Sequence, residues 1–267
     1  MISLCSLFSG SDGNALLLRT EDRALLIDCG VSARSLSCAL LEAGQDPSAL
    51  DGILITHEHS DHVKGLEAFL RRHPCPVHIA APSAAALAHA EALRPYLTLH
   101  EPDFTLSLGS LSVRAFPVPH DSACCVGYRI EQENDAVCIA TDLGRITRPI
   151  VDAFLGARGV VLECNHDPVL LQDNPRYPPA LKARIGSGGG HLKNEDCARF
   201  LAYLAEHGTT CALLAHLSTE NNTPARALSA VAHHLKAPLS VAVAPRCGTT
   251  YLGEATCSES PFFASAR

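Results

Sequence analysis

The 267-residue chain predicts a four-layer α/β/β/α sandwich. Two observations point there. Short apolar runs broken by turn signals come first and give way to alternating strands and helices. That progression then recurs with variation, over roughly residues 1–140 and 141–255, which is the pattern of sheets packed face to face with helices outside. The expectation is one domain spanning 1–267, made of two related halves, with a loose tail from about residue 256.

In the first half, 2–8, 15–19 and 24–28 read as strands, parted by Gly10-Ser11-Asp12-Gly13 and by Thr20-Glu21-Asp22. Residues 32–43 read as a helix, with Ser32 as its N-cap and Gly44 as its stop. A buried strand over 52–56 delivers a histidine-rich loop, followed by a helix over 63–72, a strand over 77–80 and an alanine-rich helix over 83–92. Further strands are expected at 97–99, 105–106, 112–117, 126–130 and 136–140. The second half continues with a helix at 146–155, a strand at 159–163 and a Pro/Gly-rich stretch at 173–190. Helices at 194–206 and 224–234 then alternate with strands at 211–215, 240–243 and 249–252.

Composition narrows the class. Hydrophobic residues make up 47% and charged residues 18%, a globular balance that excludes disorder. The net charge of −7 advertises no global affinity for nucleic acid, although basic patches survive within an acidic average. No apolar run approaches the roughly 20 residues of a membrane span. The start, Met1-Ile2-Ser3-Leu4-Cys5, lacks the basic region of a signal peptide, so a cytoplasmic protein without a membrane partner is expected. The 12 cysteines are scattered, form no Cys-x-x-Cys pair and lie mostly in apolar runs, as buried reduced thiols do. Cys124 and Cys125 are adjacent, and neighbours in a strand face opposite ways, so they do not share an ion.

The chemistry concentrates in Thr56-His57-Glu58-His59-Ser60-Asp61-His62. Histidine is only 14 of 267 residues, so three within six positions beside an aspartate calls for a cause. Divalent first-row metals take imidazole nitrogens and carboxylate oxygens at about 2.0–2.2 Å. On a turning segment, His57 and His59 can serve one ion while Asp61 and His62 turn toward a second. Four residues do not fill two coordination shells, and further ligand types stand directly after later apolar strands: His120, Asp142 and His216. Strand ends are where sites assemble in layered α/β folds. The set of seven suits two ions bridged by one carboxylate.

In this order, His-x-His-x-Asp-His and then His, Asp and His, the chain resembles the metallo-β-lactamase superfamily. Phe8-Ser9-Gly10-Ser11-Asp12-Gly13-Asn14, Leu26-Ile27-Asp28-Cys29-Gly30, Pro119-His120-Asp121 and Thr141-Asp142-Leu143-Gly144 extend the likeness. Glu163-Cys164-Asn165-His166-Asp167, Gly190-His191-Leu192, Ala215-His216-Leu217-Ser218-Thr219-Glu220-Asn221-Asn222 and Ala244-Pro245-Arg246 resemble one branch, the YycJ/WalJ-like group of bacterial hydrolases. The resemblance runs from about residue 8 to 246. It implies one ion on His57, His59 and His120, another on Asp61, His62 and His216, and Asp142 between them. Asp28 would orient the histidine loop through hydrogen bonds. The chain departs from the group at Asp12, where a second serine is usual, at Cys29, where alanine is common, and at Lys193, which replaces a small polar residue.

The expected chemistry is hydrolysis by a hydroxide shared between two divalent ions. Asp61 would orient that hydroxide or take its proton. His191 and His166 are the candidates for protonating the leaving group, His191 by resemblance to the tRNA-processing and phosphodiesterase enzymes of the superfamily. The resemblance implies a phosphodiesterase, a nuclease acting from a 5′ end on DNA more than RNA. Lys182, Arg184, Lys193 and Arg246 lie in or near the site loops and could meet phosphate oxygens. Only 5% of residues are aromatic and none is Trp, so a base-stacking groove would be modest. The alternative is a small-molecule hydrolase acting on a lactone, thioester or cyclic phosphodiester, since the same centre serves all of these. Histidine-rich sites favour zinc, iron or nickel over magnesium, and the carboxylates also admit manganese.

Overall fold

The computed structural model describes residues 1–88 and 90–253. The expected tail from 256 lies outside them.

Three apolar clusters arrange the chain into four layers. Strands β1 (Ser3–Phe8), β2 (Ala15–Arg19), β3 (Ala24–Ile27), β4 (Gly52–Leu54), β5 (Val77–Ala80) and β6 (Leu97–His100) form one sheet, completed by β14 (Thr250–Tyr251). Its order is β14-β1-β2-β3-β4-β5-β6, antiparallel up to β3 and parallel beyond it. The other sheet takes β7 (Thr105–Leu108), β8 (Leu111–Val118), β9 (Cys125–Gln132), β10 (Asp135–Ala140), β11 (Gly159–Glu163), β12 (Cys211–Ala215) and β13 (Ser240–Val243). It repeats the design in the order β13-β12-β11-β10-β9-β8-β7, parallel from β13 to β10 and antiparallel thereafter.

Alternation along the strands decides which core each side chain joins. Leu16 and Leu18 point between the sheets, where they meet Val113, Tyr128, Ile139 and Leu213. Leu17 between them points outward, into a cluster with Leu36, Leu40 and Phe69. The second sheet's outer face packs Val160, Leu162 and Leu214 against Phe154, Leu201 and Val231. The central strands β2, β3, β11 and β12 are buried on both faces, so they read as near-continuous apolar runs. The outer helices are α1 (Ala33–Glu42), α2 (Ser60–Val63), α3 (Leu66–Leu70), α4 (Ala81–Ala86), α5 (Ala90–Leu93) and α6 (Arg148–Phe154). The series ends with α7 (Pro168–Asp173), α8 (Pro179–Ile185), α9 (Asn194–Glu206) and α10 (Pro224–His234). Ser32 caps α1 as expected, accepting from Ser35 N.

Two expectations change. The helix foreseen at 63–72 is broken in two, because Asp61 O accepts from Asn14 N and Gly65 N donates instead to Cys29 O. The bond that would join the two pieces is thereby diverted, and a Cβ on Gly65 would lie 1.9 Å from Val31 O. The alanine-rich helix foreseen at 83–92 is likewise two short pieces, α4 and α5. Within the Pro/Gly-rich stretch, α8 forms because Pro179 stands in its first turn, where a missing N–H costs nothing. Cys29, Cys125, Cys138, Cys164 and Cys197 are buried free thiols, as expected of reduced cysteines in apolar runs. No helix of the described residues is long and apolar enough to cross a membrane.

Candidate metal centre

The seven foreseen residues converge at the strand ends. His57, His59 and His120 bring one ligand atom each within 4.8 Å of one another, and so do Asp61, His62, Asp142 and His216. Asp142 reaches both groups. Its Oδ1 lies 3.9 Å from His120 Nε2 and 3.5 Å from His216 Nε2, while its Oδ2 lies 3.1 Å from His62 Nε2. Asp61 Oδ2 sits 3.5 Å from His62 Nε2 and 3.4 Å from His216 Nε2.

The backbone aims these groups by turning sharply as each strand ends. Asp28, Asp142 and His216 adopt left-handed φ values of 63°, 56° and 55°, uncommon for residues other than glycine. Each stands one or two residues beyond β3, β10 or β12. Strain of this kind persists only where the surroundings over-determine it, and it clusters at functional sites.

Hydrogen bonds then settle which imidazole nitrogen faces inward. His62 Nδ1 donates to Asp28 Oδ2 at 2.8 Å, and His216 Nδ1 to Glu163 Oε1 at 3.0 Å. His120 Nδ1 donates to Gly190 O at 3.1 Å. In each ring Nε2 is left facing the common centre, as in metal-ligating histidines with outer partners. His57 Nε2 is buried with no hydrogen-bond partner, a costly state for a nitrogen unless a cation meets it. Five imidazoles and two carboxylates so arranged fit divalent ions.

The electrostatics agree. Burial works against charge on His62, but Asp28 and Asp142 outweigh it and hold the imidazole well above its usual range. Burial likewise opposes charge on His216, and Asp142, Asp61 and Glu163 raise it to about 10. Asp142 and Asp61 stay well below the carboxylate range despite burial, which by itself raises both, because His216 and His62 surround them. Burial pushes His57 well down, helped by the neighbouring His62. The centre therefore demands positive charge beside its carboxylates and offers neutral imidazole next to them.

Asp28 behaves as the resemblance implied, accepting also from Thr56 N at 2.8 Å and Thr56 Oγ1 at 2.9 Å. Glu163 does the same work on the other side and was missed from the sequence. It is fully buried at the end of β11, and its oxygens accept from His191 Nδ1 at 2.7 Å, Leu143 N at 2.9 Å and Leu192 N at 3.0 Å. Burial opposes its charge, yet His191 and His216 bring it down to about 2. The available signal was a carboxylate closing an apolar strand, as Asp28 does. Asn14 was also missed as a site residue: its Nδ2 lies 3.1 Å from His62 Nε2 and 3.4 Å from Asp61 Oδ2.

His191 stands beside the centre, its ring 5.3 Å from those of His120 and His216. It lines a cleft of about 170 Å³ together with Asp121, Arg184 and Ser218. Burial opposes its charge, but Glu163 raises it above its usual range. His166 is not brought to the centre. It is buried, belongs to none of the ligand groups, and burial lowers it to about 4. Its main chain builds the wall instead, bridging to Lys193 and accepting from Asn194 N. Of the four basic residues, only Arg184 lines this cleft, paired with Asp121. Lys193 pairs with Asp196, Arg246 with Asp12, and Lys182 bonds Gln172 O.

A family model described as "Beta-lactamase superfamily domain" matches residues 23–217. Exodeoxyribonuclease YycJ of Bacillus anthracis is 35% identical over 222 residues, covering 81% of this chain and 82% of that one. The chain belongs to the metallo-β-lactamase fold superfamily, in its YycJ/WalJ branch. Exodeoxyribonuclease WalJ of Streptococcus pneumoniae is 33% identical over 220 residues, with 81% of each chain covered. The fold of this YycJ/WalJ-branch chain is shared with the metallo-β-lactamase fold protein YhfI of Bacillus subtilis, at a TM-score of 0.68 and 18% identity, over 94% of this chain and 99% of the other.

Proposed function

We propose that this protein is a binuclear metal-dependent phosphodiesterase, a DNA exonuclease working from a 5′ end. The observation that carries the proposal is Asp142, whose two oxygens face a three-histidine group on one side and the Asp61–His62–His216 group on the other. The YycJ and WalJ relatives are named exodeoxyribonucleases, which supports a nucleic-acid substrate and is why we favour DNA.

In this reading His57, His59 and His120 would hold one divalent ion, and Asp61, His62 and His216 the other, with Asp142 facing both groups. Zinc or manganese suits this donor set, and iron is admitted. Two such ions, when bound, would supply a water nucleophile ionised near neutral pH and stabilise charge gathering on the phosphoryl oxygens. Asp61, with a fifth of its side chain exposed, orients the attacking water and takes its proton. His191 carries the opposite task. Glu163 holds its Nδ1, which leaves Nε2 to give a proton to the leaving oxygen. We assign that role to His191 rather than His166, which is buried and belongs to none of the ligand groups. Asp28 and Glu163 lock the histidines in the tautomers the ions require. We read the chain as one domain of two related halves and assign it to the cytoplasm, where its cysteines stay reduced.

The test is a nuclease assay on purified protein loaded in turn with manganese and zinc, using end-labelled DNA and RNA in single- and double-stranded form. Stepwise loss of nucleotides from the 5′ end of DNA, absent in His59→Ala, is the expected result. Failure to cleave any of them by protein holding two ions would redirect the assignment to a lactone, thioester or cyclic phosphodiester.

A further inference from the structure

Beside the cleft lies a second concavity that the chemistry above does not use. It measures about 520 Å³, within the span of roughly 300–1,000 Å³ typical of ligand pockets. It meets the cleft at Leu217 and Ser218, which line both. Its floor is apolar, from Leu217, Leu228, Val243 and Ala244, with Thr219 and Arg246 at its rim. It opens beyond the carboxyl ends of the parallel strands β12 and β13, where α/β sheets receive ligands. Ser9, part of its wall, accepts from the backbone N of His216 at 2.8 Å, so wall and metal centre are mechanically one piece.

We propose that this groove holds one nucleoside unit of the substrate strand while the adjoining phosphodiester lies at the metal centre. The inference rests on the phosphodiesterase reading above and deepens it. An apolar floor suits the face of a base or sugar. The cation at the rim suits the phosphate that every nucleoside in a strand carries. Arg246 is exposed and is held by Asp12 from the opposite loop. An incoming phosphate replaces that carboxylate at the guanidinium. Asp12 is thus a stand-in anion that keeps Arg246 poised and tempers its affinity. With no aromatic side chain in the lining, contact with the base is loose and tolerant of sequence.

The experiment compares the metal-loaded protein on two substrates, a single-stranded oligonucleotide and bis(p-nitrophenyl) phosphate, which has no nucleoside to seat. Thr219→Trp fills the groove without removing a described hydrogen bond. It is expected to raise KM for the oligonucleotide by about tenfold or more, the scale of one base contact, and to affect the small diester far less. Arg246→Ala is expected to reduce the slope of log affinity against log salt by about one, and Asp12→Asn to tighten oligonucleotide binding. Unchanged oligonucleotide KM in both Thr219→Trp and Arg246→Ala, or equal losses on both substrates, would overturn the proposal. A wild-type protein that hydrolyses neither diester sinks the phosphodiesterase reading instead. Fluorescence anisotropy of the labelled oligonucleotide on the same variants then still decides the groove: unaltered binding ends the proposal, weakened binding keeps it.

Discussion

Replacing Glu163 by Gln tests the least visible part of the site. Glu163 satisfies four donors at once: the Nδ1 atoms of His191 and His216 through Oε1, and the backbone N–H groups of Leu143 and Leu192 through Oε2. A glutamine keeps the shape but has one acceptor oxygen and one amino group. If the oxygen stays with the two backbone donors, the amino group confronts two imidazole Nδ1–H groups. His216 must then move its proton to Nε2, the atom that faces Asp61 and Asp142. If the amide turns round, two buried backbone N–H groups lose their acceptor, at about 1–3 kcal/mol each. Loss of such an outer partner lowers metal affinity by about 10- to 100-fold. Glu163 also raises His191, so its removal carries the alkaline limb of the kcat profile to lower pH. The assay is competition for zinc against a chromophoric chelator, followed by kcat across pH. Wild-type metal affinity together with an unshifted alkaline limb in Glu163→Gln would refute the reasoning.

Three further outcomes follow from the same geometry. His191→Ala should retain both ions yet lose about 10²- to 10⁴-fold in kcat, and unaltered turnover across pH would end its assignment as the acid. In metal-free protein, His216 titrates near 10, above its unfolded value, so its contribution to stability is complete below about 6.5 and lost as pH rises through 10. Metal binding must displace that proton and the one on His62, so apparent affinity should rise with pH. Calorimetry at pH 7 in buffers of different ionisation enthalpy should register release of about two protons, and no release would contradict the account. Gly30→Ala would put a Cβ 1.7 Å from Asp61 O and 2.6 Å from Asn14 N, backbone on both sides. Urea unfolding should record a loss of about 3 kcal/mol, and a loss under 0.5 kcal/mol would mean the two loops yield freely.

Much of the molecule was legible because its signals are local. An apolar run bounded by turn residues is a strand wherever it packs, and β1 to β3, β11 and β12 follow that logic. The ligand residues were legible because each closes such a run or sits in the histidine loop. What escaped depends on distant partners. Asp61 O is taken by Asn14 N, 47 positions away, and this breaks the helix that local pattern made continuous. Pro179 lies in the stretch read as Pro/Gly-rich, yet it stands in the first turn of α8, and the unforeseen α7 begins at Pro168, capped by Asp167 accepting from Val169 N and Leu170 N. His166 and His191 carried the same kind of signal in neighbouring turn-rich segments. Only the packing of the wall distinguishes a ring lining the cleft from one sealed behind it.

Metal content tests the central claim most directly, because Asp142 faces both ligand groups. Wild-type protein dialysed against zinc and then freed of loose metal should hold two ions per chain by elemental analysis. Asp142→Ala, compared at equal folded content by circular dichroism, should hold one or fewer. Two tightly held ions in Asp142→Ala, or none in the wild type, would contradict a binuclear centre built on this aspartate.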